Sequence, residues 1–170
     1  MINLKKLKIY TILGIIFVIA LGSLAHFFYE WSNNNFLIGL FTPVNESTWE
    51  HMKLIFFPML LFSLIYIPKL KETYPCIISA FPFGLLTGTF LIPVFFYTYT
   101  GFLGYNVFIL DILSFVFAVI TAFYTIFKST ISCKVNKYTN ILCIIVYILS
   151  LCFFIFTLCH LNKGIFANPK

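Results

Sequence analysis

The sequence predicts an all-α bundle of five membrane-spanning helices, and its composition and patterning both point to that class. Of the 170 residues, 61% are hydrophobic and only 9% are charged, whereas soluble domains are close to half apolar and about a quarter charged. The apolar residues form continuous stretches, which is typical of membrane helices and not of the alternating strands of a pore-type barrel. We expect one integral membrane domain over residues 1–170, because each linker between the stretches is too short to form another.

The five stretches each approach the ~20 residues that a helix needs to cross about 30 Å of hydrocarbon. They cover about residues 9–29, 46–67, 75–97, 105–127 and 139–161. In lipid, a helix satisfies its backbone hydrogen bonds within its own segment, so each stretch is expected to be helical. Pro58, Pro82 and Pro93 lie inside stretches and are expected to kink helices without ending them.

The first two stretches carry additional features. The first, with Ser23-Leu24-Ala25 near its end, also fits a signal peptide with a cleavage site, but apolar character resumes at residues 26–29 and favours an uncleaved span.

The second stretch is mostly apolar only over residues 54–67, about 21 Å at 1.5 Å per residue. That length is too short to span, so its polar first turns are expected at the membrane interface or below it.

The lysines predict the orientation of the bundle. All 11 basic residues are lysines, and with five spans eight of them fall on one side of the membrane. These eight are Lys5, Lys6, Lys8, Lys69, Lys71, Lys128, Lys134 and Lys137. The positive-inside rule then places the N-terminus in the cytoplasm and the C-terminus outside.

The same scatter of lysines bears on partners and location. Because they lie between apolar stretches and form no basic face, the net charge of +6 does not indicate nucleic-acid binding, and the expected partner is the lipid bilayer. The lack of arginine and the abundance of Phe, Ile, Asn and Tyr indicate an AT-rich coding sequence. We therefore expect a bacterial protein in the plasma membrane.

The five cysteines are expected to be small apolar packing residues. They are odd in number, form no CxxC pair and mostly fall inside apolar runs, which argues against a disulfide framework or a thiolate zinc site. They are Cys76, Cys133, Cys143, Cys152 and Cys159.

The ionisable residues other than lysine concentrate on the membrane side opposite the eight lysines. All three histidines and four of the five acids fall there: His26, Glu30, Glu46, Glu50, His51, Asp111 and His160. Asp111 lies six residues into its stretch, about 9 Å deep. Ionisable residues at such depth usually face the bundle interior or a water-filled cavity.

Structural roles compete with functional ones for several of these residues. Ser47 and Glu50 fit a capping box, and Asn45 is an alternative cap. Lys53 can pair with Glu50 at a spacing of three residues. His160, at a helix end, can simply be solvated.

The polar group offers the ligand types of a metal site, and without a metal the same residues could relay protons. Imidazoles and carboxylates suit Zn²⁺, or Mn²⁺ or Fe²⁺, and two or three histidines with one or two carboxylates leave a position open for water, as in hydrolytic zinc enzymes. A remaining carboxylate can be the general base. The candidate ligands are His26, Glu30, Glu50, His51 and His160, and the candidate catalytic residues are Glu46, as the base, and Asp111. Residues 36–41, too short to cross the membrane, are expected to lie on it as a flap over the site.

Three segments around the polar residues resemble the sequence of a known protein family. The segments are His26-Phe27-Phe28-Tyr29-Glu30-Trp31-Ser32, then Phe41-Thr42-Pro43-Val44-Asn45-Glu46-Ser47-Thr48-Trp49-Glu50-His51-Met52-Lys53, and then Phe56-Phe57-Pro58. Together they resemble a family of small bacterial multi-pass membrane proteins that is catalogued as a domain of unknown function. The resemblance implies the membrane class and a chain of one domain, and it implies no activity.

Three functions therefore stay open. The first is a metal-dependent membrane hydrolase, the second is a proton- or ion-coupled carrier using the same residues, and the third is a non-catalytic membrane protein whose motif packs the first two helices. Few ionisable residues occupy the half of the bundle near the eight lysines, which disfavours a carrier, because a carrier needs a polar path. The sequence does not indicate a substrate or an oligomeric state.

Overall fold

The computed structural model of the protein describes residues 4–159. All regular structure in that range is helical. The helices are α1 (Leu4–Trp31), α2 (Phe36–Gly39), α3 (Thr48–Leu70), α4 (Ile77–Leu103), α5 (Phe108–Ser132) and α6 (Thr139–Cys159), with a 3₁₀ turn at Asn136–Tyr138. Five of them are long and apolar enough to cross a membrane. The prediction of an all-α fold with five long apolar helices is confirmed.

The long helices run up and down, so the helix ends define two faces of the bundle. We call the end that holds Trp31, Thr48, Leu103 and Phe108 the site face. The opposite end, which holds Leu4, Leu70, Ile77 and Ser132, is called the lysine face because the eight lysines named above lie at or near it.

The centre of the bundle is formed by α3 and α4, with α5 packed closely against α4. Gly84 and Gly88 of α4 allow this approach, since a Cβ at Gly84 would come within 2.6 Å of the Ala122 carbonyl oxygen. A Cβ at Gly88 would come within 2.7 Å of the Ala122 side chain. Small residues at helix contacts are a common means of close packing in membrane bundles, where van der Waals contact drives association.

One stripe of α1 packs on α3 and α5. Its buried positions recur every three or four residues and are mostly small, namely Leu7, Thr11, Gly14, Val18, Gly22 and Ala25. Gly14 faces Phe62 and Phe123, and Gly22 faces the Leu54 carbonyl oxygen and Phe115. The remaining surface of α1, like that of α5 and α6, exposes large apolar side chains, as expected for helices that contact lipid.

The prolines lie inside continuous helices, as expected. Pro58 and Pro68 lie within α3, and Pro82 and Pro93 lie within α4. The second long helix begins at Thr48 and continues to Leu70, so it is longer than its purely apolar portion.

The packing role expected of all five cysteines is wrong for two of them. Cys76 and Cys133 form a disulfide across a sequence separation of 57 residues. Cys76 immediately precedes α4 and Cys133 immediately follows α5. Because α4 and α5 are antiparallel neighbours, these two ends meet at the lysine face, a proximity that spacing along the chain does not reveal. Cys143, Cys152 and Cys159 are free thiols.

Candidate metal centre

Two histidines and one glutamate converge at the site face. His26 Nε2 lies 3.6 Å from Glu46 Oε2, and His51 Nε2 lies 3.4 Å from the same oxygen. One ligand atom from each residue lies within 4.8 Å of the other two. In a tetrahedral zinc site with bonds of ~2.0–2.2 Å, neighbouring ligand atoms are about 3.3–3.6 Å apart. The three residues, called the triad below, therefore fit one coordination sphere after a small adjustment.

Three different segments supply the triad. His26 lies on α1 about one turn before its end, Glu46 lies in the loop before α3, and His51 lies in the first turns of α3. The Ser47 hydroxyl caps α3 by accepting from the Glu50 amide at 3.3 Å. Asn45 Oδ1 accepts from the Ser47 amide at 2.9 Å and fixes the turn on either side of Glu46. The capping residues thus place Glu46 directly beside the helix that carries His51.

The ring of His51 is oriented by the same cap. Its Nδ1 lies 2.9 Å from the Ser47 carbonyl oxygen. Because a carbonyl oxygen can only accept, Nδ1 carries a hydrogen and donates a hydrogen bond to that oxygen. In the neutral ring, Nε2 then presents its lone pair to Glu46. Histidines that bind metals commonly donate their other ring N–H to a backbone carbonyl in this way.

The electrostatics of the triad favour a cation at its centre. His51 Nε2 lies against a carboxylate oxygen, and this contact is favourable only when a proton on Nε2 or a bound cation lies between the two atoms. The hydrogen-bonding contact with His51 is the main cause that lowers the pKa of Glu46, with partial burial opposing it and the charges of His51 and His26 assisting it. Glu46 is therefore ionised at neutral pH, with its side chain 63% exposed and open to ligands.

A cavity of about 360 Å³ adjoins the triad, within the size range of small-molecule sites. His26, Glu46 and His51 all contribute to its wall. The other lining residues come from α1, α3, α4, α5 and the loop before α5, and most of their side chains are aliphatic or aromatic. The polar ones are the Asp111 carboxylate, the Asn106 amide and the hydroxyls of Ser23, Thr48 and Ser114. The triad thus faces an apolar cavity and not bulk solvent alone.

Asp111 lines the same cavity and is held by a hydrogen-bond network. Its Oδ1 accepts from the Tyr99 hydroxyl, which also lies 2.7 Å from Asn106 Oδ1. The expected depth of about 9 Å is too large, because α5 begins at Phe108 and Asp111 falls in its first turn. Gly104, in the left-handed region at φ 80°, ends α4 and allows the chain to turn towards α5. No sequence motif marks Tyr99, although its position close to this turn places it near Asp111.

Glu50 lies apart from the triad, in contrast to the ligand role expected of it. Its Oε2 lies 2.6 Å from Lys53 Nζ, and Lys53 is fully buried. The Lys53 ammonium also donates to the Gly39 carbonyl at 3.0 Å and to the Thr157 hydroxyl at 2.6 Å. Glu50 therefore belongs to a structural ion pair that joins α3, α6 and the end of α2. The pairing of Glu50 with Lys53 was one of the structural alternatives, whereas nothing in the sequence marked Thr157.

The other expected positions fall outside the triad. Glu30 is exposed one turn beyond His26 on α1 and does not join the converging ligand atoms. His160 lies outside the described residues. The flap expected at residues 36–41 contains the one-turn helix α2, and Phe41 packs on Phe57 and Phe154. This segment therefore lies against α3 and α6 and not over the cavity, whose lining it does not join.

Comparison with known proteins covers nearly the whole chain. Residues 1–168 match a family described as a family of unknown function, DUF6512. The chain belongs to this family. No curated protein and no solved structure matches the chain. Family membership therefore supplies no activity, and function must be argued from the triad and the cavity.

Proposed function

We propose that His26, Glu46 and His51 bind a divalent transition metal, with Zn²⁺ as the first candidate, and that this centre hydrolyses a substrate held in the adjoining cavity. The observation that carries the proposal is the convergence of three ligand atoms within 4.8 Å of one another at an apolar cavity. Three protein ligands leave a fourth position for water, which is the arrangement of catalytic zinc sites. When bound, the metal would supply Lewis acidity and lower the pKa of its water to about 7.

The residues of the chain divide the remaining work. Glu46 acts as a ligand, since its carboxylate lies between the two histidines. The general-base role then passes to Asp111, the other carboxylate on the cavity wall. Asp111 accepts a proton from the attacking water and returns it to the leaving oxygen, so that one water is consumed and no electrons are exchanged. Tyr99 holds the Asp111 carboxylate in place through its hydroxyl, which also contacts Asn106 Oδ1.

The orientation of the centre is part of the proposal. The lysine bias supports an N-terminus in the cytoplasm, which would place the triad at the outer face of the plasma membrane. A carrier would need a polar path from the triad to the lysine face. The described core on that path is filled by Phe62, Tyr66 and Phe123, which pack ring against ring. This packing favours a hydrolase over a carrier.

Metal analysis of the purified protein tests the proposal. After titration with Zn²⁺ and gel filtration, we expect one ion per chain in the wild type. His26→Ala and His51→Ala should lose it while still inserting in the membrane and purifying. Glu30→Gln is the matched control, because Glu30 lies on the same helix one turn away and should retain the ion. If the wild-type protein binds no metal, the proposed metal centre is contradicted and the triad has only a packing role.

A further inference from the structure

The polarity of the cavity is ordered along the membrane normal. Its charged, imidazole and amide side chains lie close to the site face, on His26, Glu46, His51, Asn106 and Asp111. Its deeper wall is formed mainly by Gly22, Leu54, Ile92 and Phe115, and includes the hydroxyls of Ser23 and Ser114, of which that of Ser114 donates to the Asp111 backbone carbonyl at 2.8 Å. At 1.5 Å per residue, Leu54 and Phe115 lie about 9–11 Å inward from the starts of α3 and α5. The cavity therefore has a polar mouth and an apolar interior, as an acyl chain anchored at the interface would require.

The interior end of the cavity is closed by tight packing. At Gly22, a Cβ would lie within 2.5 Å of the Leu54 carbonyl oxygen and within 2.6 Å of Phe115 Cζ. On α1, α3 and α5, the cavity lining extends no further towards the lysine face than Gly22, Leu54 and Phe115. The contact of α1 with α3 and α5 at Gly22 therefore marks the inner end of the cavity on these three helices.

The side of the cavity is open towards the lipid-facing surface of the bundle. Phe27 of α1 and Phe108 and Ile112 of α5 line the cavity and also expose 48%, 73% and 47% of their surface. These residues lie between the site face and the contact at Gly22, where α1 and α5 flank the opening. A ligand can therefore reach the cavity sideways from the bilayer.

We propose that the cavity holds one acyl chain of a membrane glycerolipid, which enters between α1 and α5. With the chain pointing inward, the first polar group at the mouth is the acyl ester, next to the triad. The choice of this ester as the reacting bond rests on the proposed function. Water adds its oxygen to the ester carbonyl carbon, the bond from that carbon to the glycerol oxygen breaks, and the glycerol oxygen takes the proton. The products are a fatty acid and a lysolipid.

Photo-crosslinking in lipid nanodiscs tests the binding directly. The nanodiscs contain phosphatidylcholine with a small fraction of a phosphatidylcholine that carries a diazirine in its acyl chain. We expect crosslinks at the interior positions Leu54, Ser114 and Phe115 in the wild type. Crosslinks confined to exposed positions such as Leu113 would overturn the proposal, and this readout needs no variant.

Two neighbouring substitutions on α5 sharpen the test. Ile112→Trp enlarges a side chain at the opening and should remove the interior crosslinks. Leu113→Trp enlarges an exposed neighbour outside the cavity lining and should leave them unchanged. Equal crosslinking of the two variants at the interior positions would overturn the α1–α5 route.

Zinc content measured on the same samples separates this proposal from the proposed function. Interior crosslinks in a protein that binds no zinc would support lipid binding in the cavity and contradict the metal centre. Bound zinc without interior crosslinks would support the metal centre and contradict lipid binding. Release of lysophosphatidylcholine, abolished by His51→Ala, is expected when both hold.

Discussion

Lys53 Nζ lies 2.6 Å from Glu50 Oε2, and both side chains are buried at the site face. The Glu50 carboxylate also accepts from the Val44 amide at 3.1 Å, and the Lys53 ammonium contacts the carbonyls of Gly39 and Thr42. One ion pair thus fixes the whole loop that carries Glu46. The charged residues at the start of α3 therefore have two separate roles. Glu50 and Lys53 form a buried structural pair, whereas Glu46 belongs to the ligand group at the cavity.

Breaking this pair on one side should destabilise the protein strongly. Lys53→Met or Glu50→Gln leaves the other group buried without its partner, which typically costs about 3–5 kcal/mol, whereas replacing both groups is often close to neutral. We expect the double variant to be more stable than either single variant in thermal unfolding in detergent. Lys69→Met, at an exposed position on the same helix, is the control. Additive losses in the double variant would mean that the two groups do not act as a pair.

The sequence and the structure agree most where hydrophobicity decides the outcome. Continuous apolar stretches determine the five long helices, because a segment in lipid has few alternatives to a helix. The grouping of His26 and His51 also followed from the sequence, since both lie near helix ends on one membrane face. The choice between Glu46 and Glu50 did not, because both are compatible with the start of α3. Which carboxylate turns inward depends on Lys53 and Thr157, and Thr157 is 107 residues away from Glu50 in the chain.

The disulfide was missed for a related reason. Its partners lie 57 residues apart, one before α4 and one after α5, and neither belongs to a recognisable cysteine motif. Only the antiparallel packing of α4 and α5, made possible by Gly84 and Gly88, brings them together. Helix pairing of this kind depends on small-residue contacts that hydropathy does not report.

Zinc binding should weaken as the pH falls from 8 to 5, and the histidines should control the change. Protonated imidazole does not bind a metal, and its ordinary pKa is about 6.5. The pKa of Glu46 is lowered, so its carboxylate stays ionised through this window and loses its contribution only at a pH below the ordinary glutamate range. Glu46→Gln should weaken zinc binding at every pH. The pH at which binding is half lost should still lie in the histidine range and not in the lower range where carboxylates titrate. Titration with a zinc-buffered indicator at each pH measures this, and pH-independent binding would contradict the assignment of His26 and His51 as ligands.

Removing the Asp111 carboxylate should separate metal binding from catalysis. Asp111→Asn keeps the shape of the side chain but cannot accept the proton of water, so we expect full zinc content and a loss of ester hydrolysis of about 10²–10⁴-fold, the usual contribution of a general base. The measurement is fatty-acid release from vesicles by the zinc-loaded protein. Thr98→Val, which removes a hydroxyl bonded within α4, is the control. Unchanged hydrolysis in Asp111→Asn would assign the base to another group.

Two features of the chain disagree about the orientation of the bundle in the membrane. The lysine bias places the lysine face in the cytoplasm, whereas the Cys76–Cys133 disulfide lies at that same face and disulfides persist mainly in oxidising compartments. We expect the lysine bias to prevail, because flanking charge acts during insertion, before the disulfide can form. Single cysteines at Asn34 and at Lys71, in a background without native cysteines, report the two faces to a membrane-impermeant thiol reagent in intact cells. Asn34→Cys should label and Lys71→Cys should not. The reverse labelling pattern would place the triad on the cytoplasmic side.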